Sequence, residues 1–198
     1  MQPEQNKKLS AKKKIIISLM IFIVSYLTFL VIWKNIEDYY GKGVLYITSN
    51  VVATIKGVDF ESINIGKKGR LDAKFIIEGF KANFSFKFSN ITFNAPLTFT
   101  LMATLFLFLQ NRKRAYAEAL LLLFSIHFIC VFVFEMGRIS YFMSRNYMDV
   151  ASKFKIFELY AWYYLWEFMN ALVIRFEPFL IGFYLYIRFS TFSFLVKK

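Results

Sequence analysis

The chain has 198 residues, of which 58% are hydrophobic and 21% aromatic, and it carries a formal net charge of +12. These values exclude an ordinary soluble domain, in which about 45–50% of residues are apolar. They also exclude a disordered chain, which needs low hydrophobicity and few aromatic residues. The apolar residues form runs of membrane-spanning length, and the positive charges lie in short clusters beside those runs. We therefore expect an integral membrane protein that contacts the lipid bilayer.

The first apolar run, Ile15–Trp33, follows a lysine-rich amino terminus and has no ionisable side chain. It is longer than the 7–15 apolar residues usual in a signal peptide, and no small-x-small cleavage site follows it. The sequence therefore predicts an uncleaved transmembrane helix.

The next segment, residues 34–92, is predicted to lie outside the cytoplasm. Gly41-Lys42-Gly43 predicts a break. The spacing of Val44–Lys56 fits an amphipathic helix on the membrane surface somewhat better than a strand, although β-branched residues are frequent there. Gly66-Lys67-Lys68-Gly69 indicates a hairpin turn. Residues 80–89 then alternate phenylalanine or alanine with polar residues, which predicts a strand with one dry face.

We expect a small antiparallel β module of two to four strands between the first two spans. Its apolar face includes Phe84 and Phe86. That face should pack on the membrane surface, on Val44–Lys56 or on another protein, and local packing is favoured over a partner interface.

Three further apolar runs predict a mainly α integral membrane protein with four transmembrane helices. A short basic turn containing Arg112-Lys113-Arg114 separates the second span from the third, and basic turns of this kind stay in the cytoplasm. Four crossings then place both termini in the cytoplasm. The predicted segments are residues 1–14 (cytoplasmic), 15–33 (span), 34–92 (outside), 93–110 (span), 111–115 (basic turn), 116–136 (span), 137–161 (outside loop), 162–190 (span) and 191–198 (cytoplasmic tail).

The apolar stretch Trp162–Ile187 of the fourth span contains three charged residues, which are costly at bilayer depth and need a reason. A helical wheel places its polar residues on one half of the helix, and Glu135 on the third span is a candidate partner for Arg175. Two interpretations carry equal weight: a buried cluster that fixes helix packing, or a contact used by a partner. The candidate residues of the fourth span are Glu167, Asn170, Arg175, Glu177 and Pro178.

His127 and Cys130 share one face of the third span. Two ligands are too few for a zinc site, and a membrane cysteine is usually a small apolar residue, so packing is favoured over chemistry. We expect no metal, no cofactor and no catalytic residues. Since the basic clusters flank the predicted spans, they do not indicate nucleic-acid binding.

The order of these features resembles the small membrane proteins associated with exosortase H. The matching parts are the basic start with its anchor, the outer hairpin region, Asn94-Ala95-Pro96-Leu97 leading into the second span, and the Pro178-containing string from Arg175 to Leu180. The resemblance implies a bacterial inner-membrane accessory protein that acts beside an exosortase in protein sorting. It transfers no catalytic residue to this chain.

The leading hypothesis is thus a non-enzymatic membrane subunit that docks on a larger membrane protein. One alternative is a small transporter or channel subunit, in which a homo-oligomer builds a polar path from Glu167, Arg175 and Glu177. A less favoured alternative is a membrane enzyme that uses Cys130, His127 and an arginine such as Arg138.

Overall fold

The computed structural model describes residues 11–66, 70–146 and 153–190. The first element, α1, is one continuous helix over Ala11–Lys56. The predicted break at Gly41-Lys42-Gly43 is therefore wrong, and Val44–Lys56 is the second half of α1 and not a separate surface helix. Packing explains the continuity: Gly41 is buried, and a Cβ there would lie 2.6 Å from the Phe88 ring. The close packing of Phe88 on Gly41 stabilises the fold by more than the roughly 0.5–1 kcal/mol by which a glycine destabilises a helix.

Three antiparallel strands follow in the order β1-β2-β3: β1 is Asp59–Ile65, β2 is Leu71–Ile77 and β3 is Phe80–Phe86. This confirms the predicted antiparallel sheet between the first two helical regions. Ile65 pairs with Leu71 around the predicted hairpin turn, whose residues 67–69 lie outside the described part of the chain. The second turn is tighter, because only Glu78 and Gly79 separate the paired residues Ile77 and Phe80. Both turn residues have positive φ, as a type I′ hairpin turn requires.

The dry face of the sheet packs inside the protein. Phe86 lies 4.7 Å from the Phe134 ring and Phe84 lies 6.3 Å from the Phe142 ring, centroid to centroid. Tyr46 on the second half of α1 contacts Phe60 in the same way, at 5.8 Å. The sheet is too small to form a core alone, and it obtains one by covering α1 and the helix that carries Phe134.

After the sheet, the chain forms two short helices, α2 (Ser89–Thr92) and α3 (Ala95–Leu105). The span predicted over residues 93–110 is wrong as a single spanning helix, because α3 is only 11 residues long. Residues 106–111 form turns and bends, with an isolated β-bridge between Leu109 and Ser190, and they lead into the next helix. The hydropathy of the run was compatible with a full span, but hydropathy does not report where the backbone leaves helical geometry.

The remaining helices are α4 (Arg112–Asn146), α5 (Lys153–Phe168) and α6 (Ile174–Phe189), and a π-helical turn over Met169–Val173 joins the last two. Much of the loop predicted over 137–161 is therefore helical. Among the residues that the structure describes, three helices are long and apolar enough to cross a membrane: Ile15–Lys56, Arg112–Asn146 and Ile156–Phe189.

Helices α1 and α4 run parallel to each other and α6 runs antiparallel to both, so the molecule has two distinct ends. Phe29 and Trp33 contact Phe99 on α3, whereas Gly41 faces Phe88 near the sheet. At the opposite end the Gln110 amide donates to the Phe189 carbonyl at 2.7 Å. The starts of α1 and α4 and the end of α6 therefore lie at the end remote from the sheet.

Candidate functional site

Two fully buried polar side chains meet where the helices cross. His127 on α4 and Glu177 on α6 are both inaccessible to solvent, and His127 Nε2 lies 2.9 Å from Glu177 Oε2. A neutral imidazole with its proton on Nε2 donates to the carboxylate and leaves Nδ1 as an acceptor. The pair ties α4 to α6 inside the apolar interior.

Two other helices complete the hydrogen bonding of this pair. The Tyr40 hydroxyl of α1 lies 2.9 Å from His127 Nδ1, and the Thr98 hydroxyl of α3 donates to Glu177 Oε1 at 3.1 Å. Both ring nitrogens and both carboxylate oxygens therefore have partners. We call Tyr40, Asn94, Thr98, His127 and Glu177 the polar cluster.

Asn94 joins the polar cluster through the backbone of α6. Pro178 has no amide hydrogen, so the Ile174 carbonyl four residues earlier lacks its usual helical donor. Asn94 Nδ2 donates to that carbonyl at 2.7 Å, and the Arg175 carbonyl is 3.3 Å from the same nitrogen. The side chain from α3 thus repairs the helix at the proline.

The π-helical turn over Met169–Val173 changes which residues of the last helix face inward. It inserts an extra residue into the turn and rotates the preceding residues by about 100° relative to α6. Glu177 and Pro178 are buried and Asn170 is half-buried, whereas Glu167 and Arg175 are exposed. The single wheel drawn from the sequence therefore does not describe the buried face, since its period breaks at this turn.

Arg175 lies in an open cleft between α2 and the last helix. The cleft is lined by Ser89, Asn90, Phe93 and Asn170 together with Arg175. In the part of the chain that the structure describes, no carboxylate lies within 4.0 Å of its guanidinium. Arg175 is about 20 Å along the helix from Arg188 at the remote end, a distance shorter than the roughly 30 Å of hydrocarbon that a bilayer presents.

Glu135 lies apart from Arg175. Ser49 on α1 donates to Glu135 Oε1 at 2.6 Å, and Glu135 is 1% exposed. Among the described residues its Oε2 has no hydrogen-bond partner. Glu135 therefore ties the second half of α1 to α4.

Cys130 is buried and lies one turn above His127 on α4. Both nitrogens of His127 are already bonded, to Tyr40 and Glu177, and none is left to accept a proton from the thiol. In residues 11–66, 70–146 and 153–190, no group of three or more His, Cys, Asp and Glu side chains could hold a metal ion.

A second polar group lies at the sheet end. The Lys56 ammonium at the end of α1 forms an ion pair with Glu158 on α5. It also donates a hydrogen bond to the Ser140 hydroxyl on α4 at 2.9 Å. Ser140 and Trp162 also donate to the same Glu158 oxygen, at 3.2 Å and 3.1 Å. These contacts tie the end of α1 to α4 and α5.

Sequence reasoning singled out His127, Glu177 and Pro178. It gave no role to Tyr40 or Thr98, and Asn94 entered only as the first residue of Asn94-Ala95-Pro96-Leu97. The available signal was weak: Asn94 and Thr98 are polar residues in an apolar run, and such residues are common between membrane helices. Comparison with protein-family models, with curated proteins and with solved structures finds no match to this chain.

Proposed function

We propose that this chain is a non-enzymatic, multi-pass membrane subunit that docks on a larger integral membrane protein. The docking surface is the exposed face of the last helix around Arg175. The partner presents a carboxylate on a transmembrane helix to that arginine.

The observation that carries the proposal is the exposure of Arg175 in the middle part of Ile156–Phe189, a helix long and apolar enough to cross a membrane. An arginine near the centre of a spanning helix costs about 2.5–3.5 kcal/mol, and such residues usually face protein or a water-filled cavity. Its exposed neighbours Leu172, Phe176 and Phe179 are apolar. An apolar surface with one unpaired cation is complementary to a helix that carries one acid.

The polar cluster supports the non-enzymatic part of the proposal. Every polar side-chain atom of His127 and Glu177 is bonded within the chain, and both residues are fully buried. No atom of the pair is available to a substrate, so its role is to hold four elements together.

The proposal is tested by photo-crosslinking in native membranes. A photoreactive amino acid at Leu172 should give one crosslinked product with a different protein, because Leu172 lies one turn from Arg175. The same amino acid at Ile23, an exposed apolar residue on α1, is the matched control. Arg175→Leu should abolish the product, and Arg175→Lys should retain much of it because the charge remains.

A product of equal yield at Leu172 and Ile23, or a yield that does not change in Arg175→Leu, contradicts the proposal. A crosslink only between two copies of this chain would favour the homo-oligomeric transporter hypothesis instead. Pairing with an exosortase is a prediction of the sequence resemblance alone, and mass spectrometry of the crosslinked partner tests it.

A further inference from the structure

A groove of about 480 Å³ runs between α4 and α5 near the sheet end. A Cβ atom on Gly137 would meet only Trp162, at 3.5 Å, so this glycine leaves open space along the helix pair. Most of the lining is aromatic. The ring-bearing residues of the groove are Phe134, Tyr141, Tyr160, Trp162, Tyr163 and Trp166.

Arginines lie at one end of this groove. Arg138 lines both the groove and an adjoining cavity, which Arg145 and Asn83 also line. In the described ranges, no carboxylate lies within 4.0 Å of either guanidinium. Glu167 lines the groove at the other end of the α5 wall. The groove therefore combines an apolar wall with cations at one end, which is complementary to an amphiphile with an anionic head.

The distance of Arg138 from the basic turn indicates that the amphiphile is a membrane lipid. Arg138 is about 39 Å along α4 from Arg112, and a bilayer including its headgroups is about 40–45 Å thick. Between these arginines, Glu118 is paired with Arg114 and Glu135 is buried. If the basic turn lies in one headgroup layer, Arg138 lies in the other.

We propose that the groove binds an anionic phospholipid. Arg138 contacts the headgroup phosphate and Arg145 adds positive charge from the rim. The acyl chain follows the wall formed by Tyr163, Trp166 and Phe134 towards the membrane interior. Glu167 repels an anion at the end of the groove opposite Arg138. The lipid headgroup therefore lies at the Arg138 end.

The test uses the full chain in vesicles of phosphatidylcholine and follows tryptophan fluorescence. Trp162 and Trp166 line the groove, whereas Trp33 is buried against α3 and gives a constant background. Phosphatidylglycerol with brominated acyl chains should quench the groove tryptophans at about a fivefold lower mole fraction than brominated phosphatidylcholine, the ratio that one basic residue contributes near a membrane surface. Equal quenching by the two lipids would overturn the proposal.

Substitutions inside and outside the groove test which residues cause the preference for phosphatidylglycerol. Arg138→Gln should remove it, Arg145→Gln should weaken it, and Arg70→Gln, which removes an exposed arginine outside the groove, should leave it unchanged. A preference that survives in Arg138→Gln overturns the assignment, and if that variant does not fold, the wild-type comparison and Arg145→Gln decide. Native mass spectrometry should show a bound phospholipid, and a bound polypeptide in its place would also overturn the proposal.

Discussion

His127 and Glu177 depend on each other because each supplies a hydrogen bond that the other cannot replace from solvent. The distance of 2.9 Å between Nε2 and Oε2 is that of an ordinary hydrogen bond, and both side chains are fully buried. A buried polar group that loses its partner costs about 1–3 kcal/mol, more than the net gain from the bond itself.

Replacement of Glu177 by leucine should therefore lower the free energy of unfolding by about 1–3 kcal/mol, because His127 Nε2 and the Thr98 hydroxyl lose their acceptor. Adding His127→Phe should cost less than the sum of the two single changes, since one orphaned group disappears. Reversible unfolding in mixed detergent micelles measures both effects. Strict additivity in this double-mutant cycle would mean that the two side chains do not interact.

Asn94 and Pro178 form a second pair, in which a side chain replaces a missing backbone donor. We expect Asn94→Ala to destabilise the protein by about 1–3 kcal/mol by leaving the Ile174 carbonyl without a donor. In a Pro178→Ala background the same substitution should cost much less, because an alanine amide donates to Ile174 within the helix. The same unfolding assay measures this, and an equal cost in both backgrounds would exclude the repair role.

At the scale of elements, α1 contains two glycines that the sequence makes look alike and the structure distinguishes. Gly41 is buried against Phe88, whereas a Cβ on Gly43 would meet nothing within 4 Å. Only Gly41 is required by a close approach of the sheet region to the helix.

Gly41→Ala should consequently destabilise the protein, since its methyl group would lie 2.6 Å from atoms of the rigid Phe88 ring. Gly43→Ala is the matched control and should raise stability by up to about 1 kcal/mol through helix propensity alone. Thermal unfolding monitored by circular dichroism compares the two. Similar behaviour of both variants would argue against a continuous, sheet-packed α1.

The whole molecule has one basic end and one end that carries the sheet. The basic turn, the start of α4 and the end of α6 lie together, and Glu118 is paired there with Arg114 and Arg188. The positive-inside rule predicts that this end faces the cytoplasm.

Cysteine labelling in a Cys130→Ala background tests this orientation. A membrane-impermeant maleimide should label Lys81→Cys on β3 in intact cells, but should label Lys113→Cys only after the membrane is opened. Both positions are exposed, so a difference in labelling reports sidedness and not burial. Labelling of both positions in intact cells would contradict the predicted topology.

The long apolar helices and the antiparallel strands could be predicted from the order of residues alone, because they follow from run length and from periods of about 3.6 and 2 residues along the chain. Glycine-containing strings also predicted the hairpin at Gly66. The same kind of signal wrongly predicted a break at Gly41-Lys42-Gly43, where tertiary contacts keep α1 helical. The span over 93–110 failed for a related reason: composition measures apolarity and not backbone geometry.

Which polar residues contact one another depends on how the helices pack. Thr98 and His127 come from different helices and bond Glu177, and Tyr40 from a third helix bonds His127, only when those helices cross. The π-helical turn rotates Glu167 away from the face that Glu177 occupies. A helical wheel drawn with one constant period cannot show this rotation. The physical reason is that hydrophobic periodicity is local, whereas the partner of a buried polar group depends on how distant segments pack.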